Sequence, residues 1–530
     1  MRLLPPRWLL QLTVVVLGGC NLITGADSIA LDDDDDGDGG TGVGLGPGAT
    51  GGTGGTGGSP ITNQWRAVDG VTLDAIAVHQ GTTRYVMQGH AAVGTGVAVV
   101  EQRDALLRLF YTAHPEYNGQ PVTARVEIGT HPPLEATSAL QGISTISALE
   151  STLNVPVPRE ALVAGAGLRV SLMQPPEQAS GANGAAIYPA EGQAALPIQS
   201  AGPQLKIKLI PIRYDADGSG RLPDTSDGQV QAYRDLFYAL YPTAALELTV
   251  GTAVGWDYTV EPLGEGWSNL LNAMLTHRQN EGAPADEYYY GIFCPASSFS
   301  SYCQGGCVLG LSPLPGPTDS SMRAGIGIGY GGSMAVETAV HETGHLHGLP
   351  HAPCSSFGSI DNVDPSYPHS GASIGEWGYD LLAGQLKGPS AFVDMMSYCE
   401  PIWISDYNFQ NLFERIATVN GAYRWYTPDA EAPREYERIE IRPDGTAHWR
   451  QPLRNAGPLG GQPLTVTIQI DDAQQEIDGA YFPYSHLSGG LLLFPRTERP
   501  PSVATWRLDG ILRTASRSQL TSTALTHKRR

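Results

Sequence analysis

Positions 341 to 351 read HETGHLHGLPH, which puts four histidines and a glutamate into eleven residues of a chain that has only 13 histidines in 530. The preceding SMAVETAV is helix-compatible, with Ser333 as its N-cap, and residues four apart on a helix share a face. His341 and His345 therefore project side by side, as two imidazoles must to share one small cation. Gly348 can adopt the backbone angles that end a helix, and the turn lets His351 reach the same point from another direction. Three nitrogen donors with a fourth position left open form the donor set of a catalytic zinc site rather than a structural one. Glu342, beside the first donor, can take the proton of a water that the metal acidifies. His347 points to the opposite side of the helix and is left out. A histidine-rich surface helix is the competing explanation. H-E-x-x-H alone would not dismiss it, but the added glycine and third histidine argue strongly against it.

The elements that must carry these residues lie in a block from 203 to 420. LKIKLIPIRY (205–214) reads as a buried strand. In the next segment Val230, Tyr233, Phe237, Leu240 and Tyr241 fall on a helical period. A strand near 246–250, a helix from Ser268 through Leu275, the strand EYYYGIF and the glycine-rich strand AGIGIGYGG (324–332) follow. Phe409, Leu412, Phe413 and Ile416 then mark an amphipathic helix over 403–419. The block reads as one mixed α/β (α+β) domain. Short alternating runs separated by turns predict a β-sandwich-like domain over 61–200. In it His79, His90, His114 and His131 are scattered and read as surface or turn residues. Residues 421–515 return to β structure and read as a second sandwich, with Pro443, Asp444 and Gly445 at a hairpin turn; 516–530 is a frayed tail. The expected fold class is thus multidomain, with a central α+β catalytic domain flanked by β-sandwich-like domains.

The long motif His341-Glu342-Thr343-Gly344-His345-Leu346-His347-Gly348-Leu349-Pro350-His351 resembles the zinc-binding consensus of the metzincin metallopeptidases. That clan places a methionine-containing turn beneath the metal, and DMMSYCEP (394–401) is similar to it. With Met396 as the turn methionine, Tyr398 takes the place of a tyrosine that stabilises the oxyanion in astacin- and serralysin-like members. Met395 is the alternative, and would cost Tyr398 that offset. The resemblance implies that His341, His345 and His351 hold Zn2+, that Glu342 and Tyr398 are catalytic, and that a peptide pairs along 324–332 as the sheet edge. It also brings Cys354 and Cys399 close beneath the metal, which suggests a bridge between them. No cysteine or aspartate of the kind that keeps such enzymes latent is identified.

At the N-terminus, Arg2 and Arg7 precede the short apolar run LLQLTVVVLGG, the pattern of an export signal. Its end, Leu17-Gly18-Gly19-Cys20, resembles the lipobox of bacterial lipoproteins. That implies a chain tied to a membrane through a lipidated Cys20, at the outer membrane or cell surface. A plain secretory signal with an incidental cysteine is the alternative. Residues 21–60, rich in Asp and Gly, have nothing to bury and form a tether. An exported chain makes disulfides by default, and Cys294, Cys303, Cys307, Cys354 and Cys399 are odd in number, so at least one stays unpaired within the chain or pairs elsewhere. Asp215, Asp217, Ser219 and Gly220 follow the first half of a calcium loop, but Ser226 replaces the closing glutamate, and a polar loop is the stronger reading. The net charge of -21 argues against nucleic acid as a partner. Together these features point to an exported zinc endopeptidase acting on polypeptides or glycoproteins. A zinc-fold binding protein and a zinc hydrolase of another bond are the rivals.

Overall fold

A computed structural model of the chain describes residues 65–354, 362–421, 433–517 and 524–526. The export signal, Cys20, the tether and most of the tail lie outside the described residues. The architecture is multidomain α+β, with a mixed sheet bearing helices and curled antiparallel sheets before and after it in the chain.

In the first region, β1 (Val71–His79) pairs antiparallel with β2 (Gly81–Gln88) and β3 (Ala105–Ala113). A second sheet pairs β4 (Val122–Ile128) with β5 (Gly167–Gln174). Period-two alternation sends Leu73, Leu107, Leu109, Val126, Val170 and Leu172 into one core that both sheets share.

His79 departs from its surface reading, because it is fully buried. Its Nδ1 lies 3.1 Å from Thr83 Oγ1 and its ring meets Tyr379 edge-on. Burial, aided by nearby Arg108, pushes the imidazole down to about 3. The native chain then binds fewer protons than the unfolded one between about pH 3 and 6.5. Stability from this group is complete above 6.5 and drains as pH falls through that window, by about 2.7 kcal/mol at a pH two units below 6.5. His79→Gln is expected to flatten the decline in urea midpoint between pH 7 and 4.5. An unchanged slope would refute the assignment.

The central sheet has the order β7 (Leu246–Val250), β6 (Leu205–Tyr214), β8 (Glu287–Phe293), β10 (Ala324–Ile328), β9 (Gly310–Leu311). All pairings are parallel except that of β9, which runs antiparallel to β10. Both faces of the sheet are covered, as its continuous apolar strands require. Leu205, Ile207 and Leu209 of β6 face a core shared with α1 (Asp227–Leu240), α3 (Ser333–Leu346) and α4 (Asp406–Val419). Ile210, Ile212 and Tyr214 face a second core with α2 (Trp267–Asn280).

The glycine-rich strand β10 is not the sheet edge. β9 lies outside it and takes that place. Its glycines answer to close neighbours instead: a Cβ at Gly327 would come to 1.9 Å from the Tyr290 hydroxyl, and one at Gly325 to 2.4 Å from Ser312 Oγ.

The C-terminal region is also corrected, from a sandwich to one curled sheet. Its order is β13 (Ala447–Asn455), β12 (Arg434–Ile441), β16 (Gly490–Pro495), β15 (Ala473–Pro483), β14 (Gln462–Ile470), β17 (Val503–Leu508), β18 (Ile511–Ser516). The sheet folds around Trp449, Phe494 and Trp506 on its concave side, so one sheet supplies all the walls of that core. On its other side Leu453, Phe482, Leu491 and Leu493 pack onto α2. Buried Arg438 donates to Thr276 Oγ1 of α2 at 2.8 Å.

Candidate metal centre and active site

Helix α3 enters the core after Gly332, one residue before the expected cap, so Ser333 is its first helical residue. It ends at Leu346. Gly348 then takes φ +82°, the left-handed conformation that closes a helix. A side chain at that position would meet Pro315 O at 2.9 Å. The reversed chain is held by His351 N donating to Asn362 O and Asp364 N donating to His351 O, both at 2.9 Å. This brings His351 back onto the His341–His345 face of the helix. His347 is buried on the other side, stacked at 4.3 Å on Tyr288.

Hydrogen bonding settles which nitrogen His341 and His345 present. His341 Nδ1 donates to Met395 O and His345 Nδ1 to Leu349 O, each at 2.7 Å. A carbonyl can only accept, so Nδ1 carries the proton and Nε2 keeps its lone pair. Burial pushes His341 down to about 3 and His345 well below its ordinary value, so both rings are neutral. Yet His345 Nε2 lies 3.1 Å from both His341 Nε2 and His351 Nε2. Two bare lone pairs at that distance repel unless a cation lies between them. The backbone partners on Nδ1 are the outer contacts that orient metal-bound imidazoles. The donor set fits zinc.

Met396 packs directly beneath this helix. A Cβ at Gly344 would come to 2.4 Å from its Sδ, against 3.4 Å to Met395 Cε. The turn is locked by Asp394, which is fully buried and accepts from Met396 N (2.8 Å), Ser405 N (3.0 Å) and Asn408 Nδ2 (2.8 Å). Cys354 and Cys399 form a disulfide beside it, as do Cys303 and Cys307, and Cys294 is a buried free thiol.

Glu342 is buried above the histidines, and that burial pushes its carboxyl up to about 7. Gly310 on β9 makes room for it, since a Cβ there would come to 2.4 Å from both Glu342 Cγ and Oε1. Gly310→Ala is expected to displace the carboxylate and lower kcat/KM by on the order of 10²-fold, with zinc content unchanged. Native turnover in that variant would show that the carboxylate tolerates the shift. Tyr398 stands at the same cleft, its ring 4.8 Å from that of His351.

Two residues of the site were not found from the sequence. The turn between β15 and β16 delivers Ser485, whose Oγ donates to Glu342 Oε2 at 3.3 Å, and His486, whose Nδ1 lies 2.5 Å from the Tyr398 hydroxyl. His486 also groups with the three motif histidines as a further possible metal donor. Its local sequence, Tyr484-Ser485-His486-Leu487-Ser488-Gly489-Gly490, signals only a turn. The loop weighed for calcium carries two ion pairs of its own. Asp215 pairs with Arg213 at 2.9 Å and Asp217 with Arg221 at 2.6 Å. Among the described residues the histidine cluster is the only grouping arranged to hold a metal.

Residues 320–397 match the family model Peptidase M66. The matched segment is that of a zinc metalloendopeptidase. It contains β10, α3, all three motif histidines and the methionine turn of this M66-like unit, and it stops one residue before Tyr398. No curated protein matches the chain. A solved structure described as a chaperone-substrate complex aligns at 10% identity and a TM-score of 0.22, over 51% of this chain and 39% of that one.

Proposed function

We propose that the chain is an exported endopeptidase that cuts extended segments of extracellular proteins or glycoproteins, held near a membrane through Cys20. The observation that carries the reading is the convergence of the three motif histidines, with His345 Nε2 at 3.1 Å from Nε2 of both His341 and His351, beside a cleft of about 400 Å³ that His341 and the buried Glu342 line. One wall of the cleft is the backbone of Val308, Leu309 and Gly310 at the sheet edge. The other is formed by Met395, Ser397 and Tyr398. An extended peptide laid between them can add to the sheet by main-chain hydrogen bonds.

His341, His345 and His351 would hold the zinc. When bound, zinc supplies a Lewis acid that acidifies water and polarises a carbonyl. Glu342 takes the proton of the attacking water and passes it to the leaving amine. Ser485 and the space at Gly310 keep its oxygens aimed at the cleft. Tyr398 donates its hydroxyl proton to the carbonyl oxygen as negative charge grows there.

The test is digestion of a panel of unfolded proteins and glycoproteins by the full chain, with zinc content measured. New internal N-termini that vanish on chelation and return with added Zn2+ are expected. A chain with stoichiometric zinc that cuts none of the panel would turn the reading towards another bond.

A further inference from the structure

We propose that His486 is a fourth nitrogen donor of the resting metal centre, brought there by the C-terminal sheet, and that it must withdraw before a substrate can reach the metal. This inference rests on the zinc reading above. The centroids of the four imidazoles His341, His345, His351 and His486 are separated by six distances, all between 4.6 and 5.3 Å. That is a nearly regular tetrahedron. Four imidazoles bound to one zinc through bonds of about 2.0–2.1 Å have ring centres roughly 5 Å apart, so the spacing is that of a shared ion. One donor nitrogen from each ring lies within 4.8 Å of all the others.

The contact with Glu342 agrees. His486 Nε2 stands 2.6 Å from Glu342 Oε1, where a water activated by that base has to sit. The carboxylate oxygen nevertheless receives no aligned N–H, so the in-plane axis of the ring at Nε2 is aimed elsewhere. The turn that carries His486 is pinned to the edge of the catalytic sheet. Ser485 N donates to Ser312 O at 2.9 Å, Ser485 Oγ accepts from Ser312 N at 3.0 Å, and Asn362 Nδ2 donates to Tyr484 O at 2.9 Å. His486 also engages the Tyr398 hydroxyl. One side chain thus covers the open metal position and the oxyanion donor together, and its release frees both.

The experiment uses the full chain loaded with Zn2+ and X-ray absorption at the zinc edge. Four imidazole ligands are expected; three imidazoles and one oxygen would overturn the proposal while leaving the zinc reading intact. A chain that takes up no zinc overturns both. Loaded with Co2+, the native chain should need at least tenfold more azide than His486→Gln to shift its visible spectrum. Equal azide sensitivity would count against the fourth donor whether or not the variant's activity changes.

Discussion

Glu342→Gln is expected to lower peptide cleavage by between about 10² and 10⁴-fold while zinc content stays at the native level. The amide has the shape of the carboxylate and fits the space left by Gly310, so Ser485 Oγ can still donate to its carbonyl oxygen. It cannot accept the proton of an attacking water. Nor does it disturb the metal's partners, since Nδ1 of His341 and of His345 is bound to Met395 O and Leu349 O, out of reach of position 342. Zinc analysis beside single-turnover cleavage separates the two contributions. Cleavage within a few-fold of native would remove Glu342 from the role of base. Loss of zinc together with activity would make it a structural residue of the centre.

The second large effect is expected away from the cleft, at Asp394. This carboxylate is buried among three donors from the methionine turn and the start of α4. Burial raises its pKa, while the hydrogen bonds from Ser405, Met396 and Asn408 favour the ionised form. Asp394→Ala strands Met396 N, Ser405 N and Asn408 Nδ2 without an acceptor, at a cost of roughly 3–5 kcal/mol. Asp394→Asn keeps the oxygen that serves Met396 N and Asn408 Nδ2 and turns an NH2 towards Ser405 N, so about half of the loss should return. Because the same turn presents Met395 O to His341, zinc affinity should fall along with the urea midpoint. If Asp394→Ala unfolds at the native urea concentration, the turn is held by packing alone.

What could be read in advance was what is local. The i, i+4 spacing of His341 and His345, the glycine that reverses the chain at 348 and the return of His351 are all encoded within eleven residues. The strands at 205–214, 246–250 and 287–293 follow from their own apolar runs. His486 is different. It belongs to a turn far along the chain, and the docking of Leu453, Phe482 and Leu493 onto α2 carries it to the histidine cluster. No spacing rule links it to residue 341. His79 failed for a related reason. Its outer face is covered by Tyr379, contributed by a strand between the third histidine and the methionine turn. The C-terminal alternation announced two-faced strands correctly, but a period of two is the same whether a sheet stacks on another or curls around itself.

That strand, β11 (Gly378–Asp380), pairs antiparallel with Gly81 and Thr82 at the edge of the first region's sheet, where Trp403 Nε1 also donates to Gly81 O at 2.7 Å. An uncovered edge of this kind is a template for the strands of other molecules. The segment between the metal motif and its methionine turn therefore covers this stretch of the edge. Changes that loosen it should be seen first as aggregation, before any loss of zinc.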